Sequence, residues 1–127
     1  MKIEHFAYNV SDPIAIAAWY CEHLGFSVKH KFNKWPDTHF LADSSGNVMI
    51  EIYNNPADKV PDYHAMDPLI LHLAFVSSSP EEDAAKLVKA GAKVVDDVKL
   101  KDGSHLKMLK DPWGLAIQLC KRATPFI

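Results

Sequence analysis

The sequence has few of the residues that mark secreted or membrane-embedded proteins. Its 127 residues include two cysteines, Cys21 and Cys120, and a single arginine, Arg122. Two cysteines cannot build a disulfide framework and are typical of a reducing compartment. No apolar stretch approaches the ~20 residues that span a bilayer, and no basic, apolar leader precedes the first strand pattern. We therefore expect a cytoplasmic protein without a membrane partner.

The sequence also lacks any segment in which charges of one sign are concentrated. The chain carries 14 lysines and arginines against 16 aspartates and glutamates, which gives a net charge of −2. This balance provides no electrostatic footprint for a nucleic acid, and no block of like charges indicates a tail. The length suits one domain, residues 1–127, or two half-domains that share a core. A small molecule is the expected partner.

The sequence contains an internal repeat. Residues 3–10, IEHFAYNV, and residues 70–77, ILHLAFVS, both place His third and Ala fifth in a strand-like pattern. A helix pattern, two extended segments and a closing apolar strand follow each copy. The closing strands are residues 48–53, VMIEIY, and residues 115–120, LAIQLC. Each copy therefore predicts a β-α-β-β-β module.

The helix signals agree with this duplication. Asp12-Pro13 opens the first helix and Ser79-Pro80 the second, where Glu82 completes a capping-box pattern. Each helix stops at a glycine, Gly25 or Gly91, as expected just past a helix C-terminus. We predict an α+β fold with a first module over 1–53, a linker over 54–68 and a second module over 69–121.

Each module carries two polar residues inside apolar strands. His5 and Glu51 are 46 residues apart, and so are His72 and Gln118. Large aliphatic neighbours, such as those on either side of Glu51, suit a sheet face covered by a helix. Strand alternation then directs the polar residues to the opposite face. If the sheet curves, this face forms a trough with two His, one Glu and one Gln at its centre.

This set is suited to a divalent metal. Imidazole nitrogen and carboxylate oxygen are ligands for Zn²⁺, Ni²⁺, Mn²⁺, Co²⁺ or Fe²⁺. Taken singly, a strand histidine is more often a hydrogen-bonded core residue, and Glu51 could lie on a wetted sheet face. The matched positions in both modules favour one bound cation. It would also keep Glu51 ionised in a partly dry site.

Other residues receive weaker assignments. Alternation places Met49 and Tyr53 on the face of Glu51, and Ala7 on that of His5, where they could touch a ligand. Tyr53 could equally be a half-buried aromatic at the rim. His64 in the linker either closes over the trough or is solvated. His30 and His105 have no partner pattern, and no role is assigned to them.

The repeat and the ending DPWGLAIQL together resemble the vicinal oxygen chelate superfamily, which includes glyoxalase I, fosfomycin-resistance enzymes, extradiol dioxygenases and bleomycin-binding proteins. The resemblance implies paired modules that form a curved mixed sheet around a metal, with helices outside. It places the metal ligands at four positions, His5, Glu51, His72 and Gln118. It also implies a homodimer, in which the ligands could come from one chain or from two.

Gln118 departs from the glyoxalase I pattern, which has a glutamate at this position that moves a proton at the substrate carbon. An amide cannot be a general base, so Glu51 is the candidate catalytic group. The resemblance implies a lyase or isomerase that acts on a carbonyl or thioester through an enediolate-like intermediate. A non-catalytic binder of the bleomycin-resistance type and an Fe²⁺ dioxygenase are the alternatives.

Use of glutathione is a separate question, because this chain has no arginine near its first strand to bind the carboxylates of glutathione. Four lysines could replace it: Lys29, Lys31, Lys34 and Lys107.

Overall fold

The computed structural model describes residues 1–47 and 49–127. They divide into two compact units, Met1–Pro61 and Asp62–Ile127. Val48, predicted as the first residue of a closing strand, lies outside the described residues. Neither helix of the described chain is long and apolar enough to cross a membrane.

The first unit is a four-stranded mixed sheet with one helix. In chain order its elements are β1 (His5–Asn9), α1 (Pro13–Leu24), β2 (Ser27–Lys31), β3 (His39–Ala42) and β4 (Met49–Tyr53). The strand order in the sheet is β1-β4-β3-β2. Strands β1 and β4 are parallel, whereas the β4–β3 and β3–β2 pairs are antiparallel.

The second unit repeats this arrangement. Its elements are β5 (Leu73–Val76), α2 (Pro80–Lys89), β6 (Lys93–Lys99), β7 (His105–Lys110) and β8 (Ala116–Lys121). The strand order is β5-β8-β7-β6, again with one parallel pair, β5 and β8. The predicted α+β fold of two tandem βαβββ modules is confirmed. The proposed module boundaries, and the treatment of the chain as one domain, stay predictions.

The strand registers show that the two units also correspond in their residue pairing, which the sequence pattern alone does not show. Ala7 pairs with Glu51 in the first unit, and Ala74 pairs with Gln118 in the second. An irregularity interrupts the β2–β3 ladder between Val28 and His30, and another interrupts the β6–β7 ladder between Val94 and Asp96. Both modules therefore share a bulge at the corresponding place, beside the row that contains Glu51 or Gln118.

The two helices begin differently. Asp12 caps α1, since its Oδ1 accepts a hydrogen bond from Ala15 N at 2.9 Å. Ser79 occupies the N-cap of α2 but forms no capping hydrogen bond with its side chain, so the predicted capping box is wrong. Instead, Ser77 Oγ donates to Asp83 Oδ2 at 2.7 Å and ties the first turn of α2 to the end of β5.

The helix-facing side of each sheet forms its core. Ile50 and Ile52 on β4 are 2% and 0% exposed, and Ile117 on β8 is 0% exposed. Burying an aliphatic side chain of this size contributes about 1.5–3 kcal/mol. Because neighbouring side chains on a strand point to opposite faces, this burial directs Glu51 and Gln118 to the other face of their sheets.

Candidate metal-binding residues

His5 and Glu51 form the most clearly defined polar pair of the first unit. His5 Nε2 lies 3.3 Å from Glu51 Oε2, and the two side chains are 31% and 22% exposed. They meet because β1 and β4 are adjacent parallel strands in which His5 pairs with Met49 and Ala7 with Glu51. The side chains at these paired positions share one face of the sheet.

The other ring nitrogen of His5 also faces a carboxylate. His5 Nδ1 lies 2.9 Å from Glu4 Oε2. A neutral imidazole has one N–H proton, so it can donate a hydrogen bond to Glu4 or to Glu51 but not to both. Either a second proton on the ring or a bound cation is needed to make both contacts favourable.

His72 has its proton position defined by a different partner. The residue immediately precedes β5, and its Nδ1 lies 2.9 Å from the carbonyl oxygen of Pro68. Because a carbonyl oxygen only accepts, Nδ1 carries the proton of the neutral ring and Nε2 keeps its lone pair. An anchored Nδ1–H with a free Nε2 is the usual arrangement of a metal-binding histidine.

Gln118 lies on β8, half-buried, at the position that matches Glu51. Its Oε1 accepts a weak hydrogen bond from the Cys120 thiol at 3.2 Å, which leaves a second acceptor site on the amide oxygen. The structure thus brings His5 to Glu51 in one unit and places His72 and Gln118 on neighbouring segments of the other. The four-residue metal site stays a prediction.

The three predicted pocket residues surround Glu51 on its own sheet face. Ala7 pairs directly with Glu51, Met49 pairs with His5, and Tyr53 lies two residues further along β4. Ala7 is exposed, whereas Met49 and Tyr53 are half-buried. Their contact with a ligand stays a prediction.

Phe40 and His30 were not expected in this region. Phe40 on β3 pairs with Glu51, and its ring packs edge-on against the His5 ring at a centroid distance of 5.4 Å. The His30 ring lies 6.2 Å from that of Phe40 and 4.8 Å from that of Phe32. These four rings form a half-exposed aromatic strip across the sheet. Alternation along β3 could have predicted that Phe40 lies on this face. The position of His30 could not be predicted in this way, because the bulge in β2 shifts the register.

Three of the four lysines suggested for anion binding can be placed from the strand registers and from their contacts. The β2 bulge pairs His30 rather than Lys29 with Phe40, and Lys31 pairs with the buried His39. His39 pairs in turn with the core residue Ile52, so Lys31 lies on the helix side of the sheet. Lys107 is engaged within a separate cluster. These positions weaken the case for a lysine-lined glutathione site.

That cluster joins α2 to the sheet of the second unit. Glu81, Asp97 and His105 each place a ligand atom within 4.8 Å of the others, so they form a possible metal-ligand group. Lys107 Nζ, however, lies 2.7 Å from Glu81 Oε2 and 3.0 Å from Asp97 Oδ2. His105 Nε2 lies 2.6 Å from Asp97 Oδ1. The ammonium of Lys107 supplies the positive charge that these carboxylates require.

The pKa shifts in this cluster follow from the same contacts. The hydrogen bond from Lys107 and its charge lower the pKa of Glu81. Hydrogen bonds from Lys107 and then His105 lower the pKa of Asp97. Hydrogen bonds to Glu81 and Asp97 raise the pKa of Lys107 in return. The side chain of Lys107 is only 7% exposed, so the cluster is a partly buried ion-pair network.

Comparison with known proteins identifies the family. Residues 2–119 match the model of the glyoxalase/bleomycin resistance protein/dioxygenase superfamily. The chain belongs to this superfamily. A search of curated proteins found no match to the sequence.

Solved structures of similar fold include several superfamily proteins. A glyoxalase family protein from Enterococcus faecalis is 28% identical, with 94% of this chain and 97% of that chain covered and a TM-score of 0.69. TnmS3, an antibiotic binding protein from Streptomyces sp. CB03234, is 19% identical, with 94% of both chains covered and a TM-score of 0.69. FosX, a fosfomycin resistance protein from Listeria monocytogenes, is 12% identical, with coverages of 94% and 88% and a TM-score of 0.72. The FosX structure is a complex with Mn(II) and sulfate.

The residues of this superfamily member fit a divalent cation. Two ligands bound to one ion at about 2.0–2.2 Å lie roughly 2.8–3.1 Å apart at octahedral angles and roughly 3.3–3.6 Å apart at the tetrahedral angle, a span of about 2.8–3.6 Å. The 3.3 Å distance between His5 Nε2 and Glu51 Oε2 falls in this range. A cation between these atoms would satisfy Glu51, while the single N–H of His5 serves Glu4. His72 likewise has Nε2 available for a metal, because its Nδ1–H is already donated to the carbonyl oxygen of Pro68.

Proposed function

We propose that the protein is a metal-dependent enzyme of the glyoxalase I-like type. It acts on a small carbonyl or thioester compound and moves a proton at the carbon next to that carbonyl. The observation that supports this proposal best is the placement of His5 between two carboxylates. A neutral ring cannot satisfy both Glu4 and Glu51, so the pair of contacts calls for either a second proton on the ring or a bound cation, and the proposal takes the cation.

In this proposal the cation is held by His5, Glu51 and His72, with the amide oxygen of Gln118 as a weaker fourth ligand. The bound metal supplies Lewis-acid polarisation of the substrate carbonyl and stabilises the negative charge that develops on its oxygen. Zn²⁺, Ni²⁺, Mn²⁺, Co²⁺ and Fe²⁺ all accept this set of nitrogen and oxygen donors.

Glu51 is the proposed proton-transfer residue. It is the one carboxylate among the four proposed ligands, because the matched position in the second unit carries the amide of Gln118. In the proposed reaction Glu51 takes a proton from the substrate carbon onto a carboxylate oxygen and returns it to the product. Phe40 pairs with Glu51, and its ring packs edge-on against that of His5.

We also propose that the protein works as a cytoplasmic homodimer. Strand β1 is at the edge of one sheet and β5 at the edge of the other. Exposed apolar side chains lie on these edges, with Phe6 51% and Val76 74% exposed. Sheet edges that carry exposed apolar side chains favour association with a second chain. Cys21 and Cys120 are free thiols, and burial raises the pKa of both, which is typical of unreactive thiols in a reducing compartment.

The second candidate function is small-molecule binding without turnover. The aromatic strip formed by His5, Phe40, His30 and Phe32 favours it, since exposed rings can stack against a planar ligand. One of the neighbouring structures, TnmS3, is an antibiotic binding protein. A binder needs no proton-transfer group, so the role of Glu51 separates the two candidates.

The experiment follows deuterium at the substrate carbon. Protein loaded with each divalent metal in turn is incubated in D₂O with a panel of small carbonyl and thioester compounds, and exchange is measured by NMR. We expect exchange with the wild type and its loss in Glu51→Gln. The exposed Glu22→Gln on α1 serves as the control. Saturable binding of a compound with no exchange or product under any metal would favour the binder.

A further inference from the structure

Lys110 on β7 holds the segment that precedes β5. Its Nζ lies 3.0 Å from the carbonyl oxygen of Tyr63, 2.6 Å from that of His64 and 2.7 Å from that of Met66. An ammonium has three N–H donors, so these carbonyls use all of them. Lys110 is therefore committed to the backbone of this segment and not to a substrate.

The segment it holds is a single helical turn. Asp62 starts the turn, because its carbonyl oxygen accepts from Met66 N at 3.0 Å and its Oδ1 accepts from Ala65 N at 3.1 Å. Carbonyl groups at the end of such a turn lack partners within it and carry partial negative charge. The Lys110 ammonium satisfies these groups and neutralises their charge.

The backbone of the same turn also packs closely against Gly114. A Cβ on Gly114 would lie 2.5 Å from His64 N and 2.8 Å from the carbonyl carbon of Tyr63, and the residue has φ +90°. Only glycine allows this backbone to approach so closely. The turn over residues 62–66 is thus fixed from two places: Lys110 at the end of β7, and Gly114 in the connection between β7 and β8.

Residues 67–71 connect this turn to His72. Asp67 organises the next bend, since its Oδ1 accepts from Leu69 N at 2.9 Å and its carbonyl oxygen accepts from Ile70 N at 3.0 Å. Pro68 lies inside this bend, and its carbonyl oxygen accepts the Nδ1–H of His72 at 2.9 Å. The proton position on His72 therefore depends on where this segment is held.

The strand register places Lys110 at the level of His72. Lys110 pairs with Ala116, and Leu73 pairs with Ile117, so His72 comes at the level of Ala116. The first unit has no lysine in the corresponding row, where His5 pairs with Met49 and Met49 with Ala42. There the carboxylate of Glu4 lies 2.9 Å from Nδ1 of His5.

We propose that Lys110 is a positioning residue for His72. By holding the turn over residues 62–66, it places the Pro68 carbonyl so that His72 keeps its proton on Nδ1 and presents Nε2 to a metal. The consequence for metal binding rests on the function proposed above, whereas the consequence for the His72 ring does not.

The test compares lysine variants of the full-length protein. Lys110→Met removes the ammonium but keeps the length of the side chain, and Lys110→Arg restores the charge. Lys93→Met is the matched control, because exposed Lys93 is the cross-strand neighbour of Lys110 on β6. Lys110→Gln, which keeps two N–H donors without charge, replaces the Met variant if that variant does not fold. The first readout is the proton position on His72, measured in the metal-free protein by long-range proton–nitrogen NMR.

We expect wild type, Lys93→Met and Lys110→Arg to keep the proton on Nδ1 of His72, and Lys110→Met to show a mixture of both neutral forms. The second readout is the affinity for Zn²⁺ and Mn²⁺, which should fall about 10–100-fold in Lys110→Met, as for other losses of an orienting partner. An unchanged proton position on His72 in a folded Lys110→Met would overturn the proposal. If the wild type bound no metal while the proton position still shifted, the positioning role would stand and the metal site would fall.

Discussion

His5 and Glu51, 46 residues apart in the sequence, meet at 3.3 Å across the parallel strands β1 and β4. The corresponding position in the second unit combines His72 with an amide, Gln118. The proposed metal site therefore has one carboxylate instead of two, which leaves a divalent ion with more net positive charge. Such an ion polarises a substrate oxygen more strongly but binds its protein less tightly.

Adding the second carboxylate should therefore strengthen metal binding. We expect Gln118→Glu to raise the affinity for Zn²⁺ and Mn²⁺ by about tenfold, which corresponds to about 1.4 kcal/mol. Isothermal titration calorimetry on the metal-free protein measures this change, with Gln118→Ala as the variant that should weaken binding. Equal affinity in all three proteins would mean that residue 118 does not contact the ion.

Stability should depend on pH through Lys107 and its carboxylate partners. The pKa values of Glu81 and Asp97 are lowered by folding, so their contribution is present above their unfolded pKa values, near 4, and is lost as pH falls. The pKa of Lys107 is raised, so its contribution is present below about 10.4 and is lost as pH rises through the folded value.

Lys107→Met should remove most of this dependence. Denaturant unfolding between about pH 2 and pH 6 should show a smaller fall in stability for this variant than for the wild type. Lys86→Met is the control, since Lys86 pairs with Asp83 on the surface and is 74% exposed. Identical acid profiles for wild type and Lys107→Met would contradict the assignment of these shifts to Lys107.

Gly114 and Gly103 offer a matched test of close backbone approach. Both have φ +90°, but a Cβ added at Gly103 would meet nothing within 4 Å, whereas one added at Gly114 would lie 2.5 Å from His64 N. We expect Gly103→Ala to cost about 1 kcal/mol for the strained φ, and Gly114→Ala about 3 kcal/mol or more. Thermal or denaturant unfolding measures both. Equal losses would show that the turn over residues 62–66 is free to move away from Gly114.

The two helix caps give a further comparison. Asp12→Ala should destabilise the protein by about 0.5–2 kcal/mol, because it removes the bond from Ala15 N. Ser79→Ala should have a much smaller effect, since the Ser79 side chain forms no capping bond. Ser77→Ala should cost more than Ser79→Ala, because Ser77 Oγ is bonded to Asp83. A larger loss for Ser79→Ala than for Asp12→Ala would contradict this description.

The sequence was sufficient to predict the fold and the placement of His5 and Glu51 on one face of the sheet. Both depend on local alternation and on the repeat, because buried Ile50 and Ile52 direct Glu51 to the far face and adjacent parallel strands bring His5 beside it. The match at Gln118 follows from the same register in the second unit.

Three features could not be predicted, each for a physical reason. The bulge in β2 moves His30 rather than Lys29 beside Phe40, and alternation alone does not place a bulge. The contact of Lys107 with Glu81 joins residues 26 apart on a strand and a helix. The failure of the Ser79 cap depends on local geometry, which a match to a residue pattern does not determine.

The most direct test of the proposed metal site is the metal content of the purified protein. The protein is prepared without a polyhistidine tag or chelator, reconstituted with divalent metals and analysed for elemental composition beside His5→Ala and His72→Ala. We expect close to one divalent ion per chain in the wild type and its loss in both variants. A wild-type protein that retains no metal after reconstitution, or a His72→Ala variant that retains the full amount, would contradict it.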